Sequence, residues 1–180
     1  MAARSSEYTI PHGWLFKLTQ LDTRVLSWVA TWRTPSLVQM MRGIANTADA
    51  SVITAGLAVG MLKWPGRHAA LVTLATVLAV GISSVAKRLC GRSRPTNHAV
   101  QAAPDRFSMP SGHSTCAWAL AITVSVLVPA AALPVVLWAI AVSASRIILG
   151  VHYPFDVLVG ALLGTFAAVT TFYLSAVGIV

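Results

Sequence analysis

From about residue 49 to the end, the chain reads as five apolar segments whose interiors carry almost no charge. This feature leaves few folds open. A backbone placed in hydrocarbon must satisfy its own polar groups, so an apolar segment of this kind crosses a bilayer as a helix or not at all. The segments run from about Asp49 to Trp64, Ala69 to Ala86, Ser114 to Val128, Ala131 to Gly150, and Pro154 to the last residue. A crossing needs roughly 17–25 residues. The second, fourth and fifth segments meet this length. The first and third reach it only with flanking residues such as Ile44 and Gly112. Only 10% of the 180 residues are charged and 56% are hydrophobic, against about 25% charged in ordinary soluble domains. The expectation is an all-α integral membrane protein forming one domain over residues 1–180, with five transmembrane helices in a core from residue 48 onward.

Residues 1–47 read differently. Leu15, Leu18, Leu21, Val25, Trp28 and Val29 recur at helical spacing, with Lys17, Asp22 and Arg24 between them. Such a stretch suits an amphipathic helix lying in the membrane interface, anchored by Trp14, Trp28 and Trp32. Thr34-Pro35-Ser36 breaks it, and a second short amphipathic helix follows from about Ser36 to Ala45. Met1 to Pro11 is polar, so no cleavable signal peptide is expected. Cys90 and Cys116 belong to no ligand cluster and read as free thiols.

The net charge is +8, from 13 Lys and Arg against five acids. These bases sit at the ends of apolar segments rather than on a polar domain, which favours lipid or phosphate partners over nucleic acid. Tracing the chain through the bilayer brings Lys87, Arg94, Ser111, His113, Arg146, His152 and Asp156 to one membrane face. Ionisable groups near membrane depth are costly and point to function. A phosphate monoester spreads its transition-state charge over three oxygens. Arg94 and Arg146 offer forked donors to such oxygens, and Lys87 offers a point charge. Ser111 and Gly112 stand at a helix start, where free N–H groups favour an anion. His152 just precedes a helix opened by Pro154, with Asp156 in its first turn. A carboxylate on one nitrogen of that ring would fix the tautomer and free the other nitrogen to attack phosphorus. His113 suits an acid that protonates the leaving oxygen. No metal is required, and no carboxylate cluster is present to hold one.

These stretches fit K-x6-R-P at Lys87, Arg94 and Pro95, then P-S-G-H at Pro110 to His113, then S-R-x5-H-x3-D at Ser145, Arg146, His152 and Asp156. In this the chain resembles the type 2 phosphatidic acid phosphatase family, the lipid phosphate phosphatases related to vanadium haloperoxidases. The resemblance implies a phosphohistidine on His152 supported by Asp156, protonation of the leaving group by His113, and phosphate contacts from Lys87, Arg94, Ser111, Gly112 and Arg146. It implies hydrolysis of a lipid phosphate monoester or diphosphate, of the undecaprenyl diphosphate, phosphatidate or phosphatidylglycerophosphate type, without cofactor or metal. It also implies a multi-pass protein of a bacterial inner (cytoplasmic) membrane, whose partners are its lipid substrate and the surrounding lipids. A phosphotransferase using the same covalent step, or an anion-binding or transport protein, are the alternatives.

Other residues receive plainer readings. Arg88 and Arg92 read as charges flanking a span, Asp49 as a helix cap, and His12, His68 and His98 as solvated loop or interface residues. Trp118 and Trp138 read as packing or lipid-facing residues. Phe107 and Met109 stand between a lipid-admitting wall and simple loop packing. On sidedness two arguments conflict. Eleven of the 13 bases lie on the site's side and only Lys63 and Arg67 opposite, which points to the cytoplasm. Bacterial relatives often hold the site outside, and the expectation leans that way.

Overall fold

In the computed structural model, residues 13–95, 98–102 and 105–180 are described, with side chains from residue 17 onward. The readings for Met1–Pro11 and His12, and for the side chains of Trp14 and Leu15, lie outside them. The described residues form seven α-helices and no named strand: α1 (Gly13–Ala30), α2 (Pro35–Asn46), α3 (Ala50–Lys63), α4 (Arg67–Cys90), α5 (Gly112–Leu127), α6 (Ala132–Ile148) and α7 (Pro154–Ala176), with a short 3₁₀ turn at Pro129–Ala131.

Local chemistry sets the boundaries. Thr34 caps α2 by accepting from the Leu37 N–H at 3.2 Å, and Pro35 takes the first helical position. Gly91, at φ 59°, ends α4 in the left-handed conformation that glycine adopts freely. Pro154 opens α7, and Asp156 Oδ2 accepts from the Tyr153 N–H at 2.9 Å.

α5 is the central helix. Ala117, Ala119, Ala121 and Thr123 on it are fully buried, and α4, α6 and α7 all pack on it. Its crossing with α7 leaves no room for a side chain at Gly160 or Gly164. A Cβ at Gly160 would stand 2.7 Å from the Ser111 carbonyl oxygen, and one at Gly164 would stand 2.2 Å from that of Thr115. Small residues at four-residue spacing are the usual way for membrane helices to bring their backbones together. The outward faces are apolar: Val77, Leu133, Leu137, Leu162 and Phe166 are all exposed, as suits helices surrounded by lipid.

Three helical stretches are long and apolar enough to cross a bilayer: α4, Pro129–Ile148 and α7. α2 and α3, bent by 42° at their junction, make a fourth if taken as one broken span. α5 is apolar but has only 16 residues, about 24 Å of helix. It is enclosed by α4, α6 and α7. The described chain is thus all-helical and multi-pass; each of the five expected apolar segments is a helix, and three of them, or four with the bent pair, have full crossing length. α1 also departs from the simple interfacial picture. Trp28 and Trp32 are exposed, but Asp22 and Leu26 face inward and are buried.

Candidate active site

The α6–α7 turn carries His152. Gly150 there has φ +69°, and a Cβ on it would lie 2.0 Å from the His98 carbonyl oxygen, so only glycine fits. Behind it the Val151 and His152 N–H groups donate to the Arg146 carbonyl at 3.2 and 3.3 Å. The imidazole is 2% exposed. Its Nδ1 lies 2.7 Å from the Ser108 carbonyl oxygen, and its Nε2 lies 3.0 Å from an Arg94 guanidinium nitrogen. These partners fix the tautomer. A carbonyl only accepts, so Nδ1 carries the hydrogen. A guanidinium only donates, so Nε2 keeps its lone pair. Burial pushes the His152 pKa down to about 4, with Asp156 opposing and the nearby Arg94 and Arg146 charges adding to the fall.

The expected His152–Asp156 hydrogen bond is absent. Asp156 Oδ2 is 3.8 Å from Nδ1, beyond hydrogen-bond range. The carboxylate is taken instead by the Tyr153 N–H and by Arg92, whose Nη1 is 2.7 Å from Oδ1. The main-chain carbonyl of Ser108 does the orienting, and Asp156 contributes charge from just behind it.

Four cationic or donor positions surround the ring. Arg94 also bonds the Val151 carbonyl at 2.8 Å. Lys87 Nζ lies 3.9 Å from the Cβ position of Gly112, which places it over the start of α5. Ser111 is fully buried there, and its N–H donates to the Asp156 carbonyl at 2.9 Å. Arg146 is 2% exposed, and among the described residues its Nε meets no acceptor. Its charge is felt by Arg94, His113 and His152. A buried guanidinium nitrogen without an acceptor is expensive, and an anion in the site would supply one. His113, in the first turn of α5, holds Asp49 Oδ1 at 2.9 Å from its Nε2. The structure therefore brings together all eight residues singled out from sequence: His152, His113, Asp156, Lys87, Arg94, Ser111, Gly112 and Arg146.

Several other participants escaped the sequence reading. Asp105 receives Arg94 Nη2 at 2.6 Å and also pairs with Lys87. Burial works against its charge, but the two cations prevail and hold its carboxyl below the usual range. Arg92 is no flanking charge. It is 3% exposed, bonds Asp22 and Asp156 at 2.7 Å each, and stacks 4.1 Å from the Tyr153 ring centroid. Asp22 in turn accepts the Phe155 N–H at 3.2 Å. Asp49 starts α3 but makes no side-chain cap bond. Among the plainer readings, Arg88 and His68 are exposed as expected. His98 is half-buried, its carbonyl accepting from Arg33. Met109 is buried, which favours loop packing. Trp118 and Trp138 pack on the α5–α6 core and donate to Ser143 and Thr47. Cys90 and Cys116 are free.

In both sequence and structure the chain is similar to proteins of one family. The PAP2 superfamily matches residues 68–177. A decaprenylphosphoryl-5-phosphoribose phosphatase of Mycobacterium tuberculosis is 33% identical over 136 residues, 72% of this chain and 76% of that protein. An undecaprenyl-diphosphatase of Sulfolobus acidocaldarius is 30% identical over 108 residues, 57% of this chain and 52% of that one. The crystal structure of a transmembrane PAP2 type phosphatidylglycerolphosphate phosphatase from Bacillus subtilis superposes with a TM-score of 0.78 at 23% identity, covering 89% of this chain and 87% of that one. Aquifex aeolicus LpxE gives 0.75 at 23% identity, covering 85% and 95%. At that identity the two structures speak for the fold. With the family match spanning every residue of the three sequence patterns, the chain belongs to the PAP2 superfamily and is a membrane phosphatase.

Proposed function

We propose that the protein hydrolyses the phosphate of a polyprenyl-linked lipid through a phosphohistidine on His152. The observation that carries this is the state of the ring: Nδ1–H held by Ser108, with a bare Nε2 facing Arg94. Nε2 attacks phosphorus, and the P–O bond to the lipid breaks as the N–P bond forms. His113 gives its proton to the leaving oxygen. Arg94, Arg146 and Lys87, with the Ser111–Gly112 helix start, take the charge on the phosphoryl oxygens. The imidazolium formed on His152 lies against the Ser108 carbonyl and the Asp156 carboxylate. Water, activated by His113, then cleaves N–P and releases phosphate. Each step is completed by protein groups, so the reading is metal-independent, with no cofactor.

The polyprenyl class is supported by the names of the relatives at 30–33% identity. Phosphatidate and phosphatidylglycerophosphate are the rival substrates. We read residues 1–180 as one domain in a bacterial-type inner membrane, with α1 and the start of α2 at the interface and the site on the extracytoplasmic side. The excess of bases on the site's side is weaker evidence for the cytoplasm than it first looked. Arg33, Arg42 and Arg92 are spent on loop carbonyls and buried carboxylates, as Lys87, Arg94 and Arg146 are on the site.

Purified protein incubated in EDTA with decaprenyl phosphate, undecaprenyl diphosphate, phosphatidate and phosphatidylglycerophosphate tests the reading. The expected result is phosphate release fastest from a polyprenyl substrate, inhibition by vanadate, and an acid-labile phosphoenzyme absent in His152→Ala. Wild-type turnover by His152→Ala would end the mechanism.

A further inference from the structure

The leaving-group acid has a partner that lies outside the family-matched region. Asp49 stands at the α2–α3 corner, upstream of residue 68, where the PAP2 match begins. Its backbone begins α3, the position at which an aspartate normally turns its carboxylate onto the helix's own free N–H groups. Here that bond is not made. The carboxylate reaches instead to α5, where Oδ1 is 2.9 Å from His113 Nε2.

The corner is built to hold it there. Ala48 is 3% exposed, packed with Ala117 and Ala121 of α5 and Ala139 and Val142 of α6. Thr47 donates to the Ile44 carbonyl at 2.6 Å and accepts from the Trp138 indole of α6 at 2.8 Å. The two residues before Asp49 are thereby pinned to the helices that carry His113 and Arg146. The charged groups that reach the His113 ring are Asp49 from the α3 start, Lys87 from α4 and Arg146 from α6. Asp49 is the carboxylate among them.

We propose that Asp49 is a positioning residue for the leaving-group acid. It accepts Nε2–H of His113 throughout the cycle, so the proton delivered to the lipid oxygen is the one on Nδ1. In the first step Nδ1–H breaks, O–H forms on the departing alcohol, and His113 is left as the neutral Nε2–H tautomer, still bonded to Asp49. Water's proton returns to Nδ1 in the second step. The inference rests on His113 being the acid of the proposed reaction.

The test uses two phosphate monoesters in detergent micelles with the full-length protein. Decyl phosphate leaves as an alkoxide, which needs a proton, whereas p-nitrophenyl phosphate leaves as a stable phenolate, which does not. kcat/KM is read because it reports the first bond cleavage. Asp49→Asn is expected to lower kcat/KM on decyl phosphate by about 10- to 100-fold, and to lower the decyl-to-aryl ratio at least tenfold. Asp49→Glu is expected to restore part of that ratio, and it keeps the test intact if the asparagine variant is poorly folded. An equal loss on both substrates would make Asp49 merely structural. A gain on decyl phosphate would make its carboxylate an obstacle in the leaving-group position. Either result overturns the proposal. His113→Asn is run beside it. If that variant shows no leaving-group dependence, the acid assignment itself fails. If it does and Asp49→Asn does not, only the role of Asp49 is lost.

Discussion

Replacing Arg92 with methionine should be among the most damaging single changes at positions that the three sequence patterns leave unspecified. The guanidinium is 2% exposed and holds two carboxylates at 2.7 Å, those of Asp22 (7% exposed) and Asp156 (0%). Methionine fills much of the same volume but leaves both acids buried without their counter-charge. Breaking a buried pair in this way costs about 3–5 kcal/mol. For a chain of this size each kcal/mol moves the thermal midpoint by roughly 2–4 °C, so Arg92→Met is expected to melt about 10 °C below wild type. Asp22→Asn is milder. The amide keeps one acceptor for either Arg92 or the Phe155 N–H and loses the other bond, at a cost of about 1–2 kcal/mol. In the double variant only Asp156 remains unpaired, so the combined loss should fall short of the sum by at least about 1 kcal/mol. Circular dichroism melts of the four proteins in detergent measure this cycle. A midpoint for Arg92→Met within about 2 °C of wild type, or additivity to within about 0.5 kcal/mol, would show that the cluster is not the tie it looks to be.

Arg146→Met should abolish lipid phosphate turnover and yet raise the thermal midpoint in phosphate-free buffer, since it removes a buried charge whose Nε has no acceptor among the described residues. Vanadate should stabilise wild type and not this variant; a destabilised Arg146→Met would contradict the reading. His152 should titrate near pH 4, below the ordinary histidine value of about 6.5. The unfolded chain takes up a proton near 6.5 and the folded chain only near 4, so the stability owed to this residue is present above 6.5 and is lost as pH falls through that window. NMR of histidine-labelled protein, with His152→Asn to assign the resonance, reads the midpoint, and a value at or above 6.5 would refute dominance by burial. Asp105→Asn should free Lys87 and Arg94 for the substrate, lowering the vanadate inhibition constant a few-fold; weaker inhibition would mean that the carboxylate instead holds the two cations in place.

The eight site residues within the three patterns could be read from sequence because their chemistry is local. Each lies at a helix end or in a loop whose apolar neighbours mark the membrane boundary. What supports them could not be read, because it depends on contacts 44 to 73 residues apart along the chain: Ser108 to His152, Asp49 to His113, Asp22 and Thr19 to Arg92. The orienting group for His152 is a main-chain carbonyl, which leaves no mark in side-chain identity. One signal was available. The chain has five acids, and the four aspartates among them all bond a base or a histidine of this site. In a chain so poor in acids, an aspartate inside an apolar helix or beside a span was worth more than a flanking charge or a cap. Length and hydropathy alone pick out three or four full-length crossings and leave α5, at 16 residues, as a shorter apolar helix.

The close crossing of α5 and α7 at two glycines also bears on how a lipid reaches the site. Where two backbones touch at Gly160 and Gly164, even a Cβ would meet the Ser111 and Thr115 carbonyl oxygens, so there is no gap that a hydrocarbon tail could slip through. That seam is a weld. On the proposed reaction, a phosphate headgroup seated between His113 and His152 must send its tail out elsewhere around the ring of helices. α3, which buries none of its 14 residues, is the loosest part of that wall.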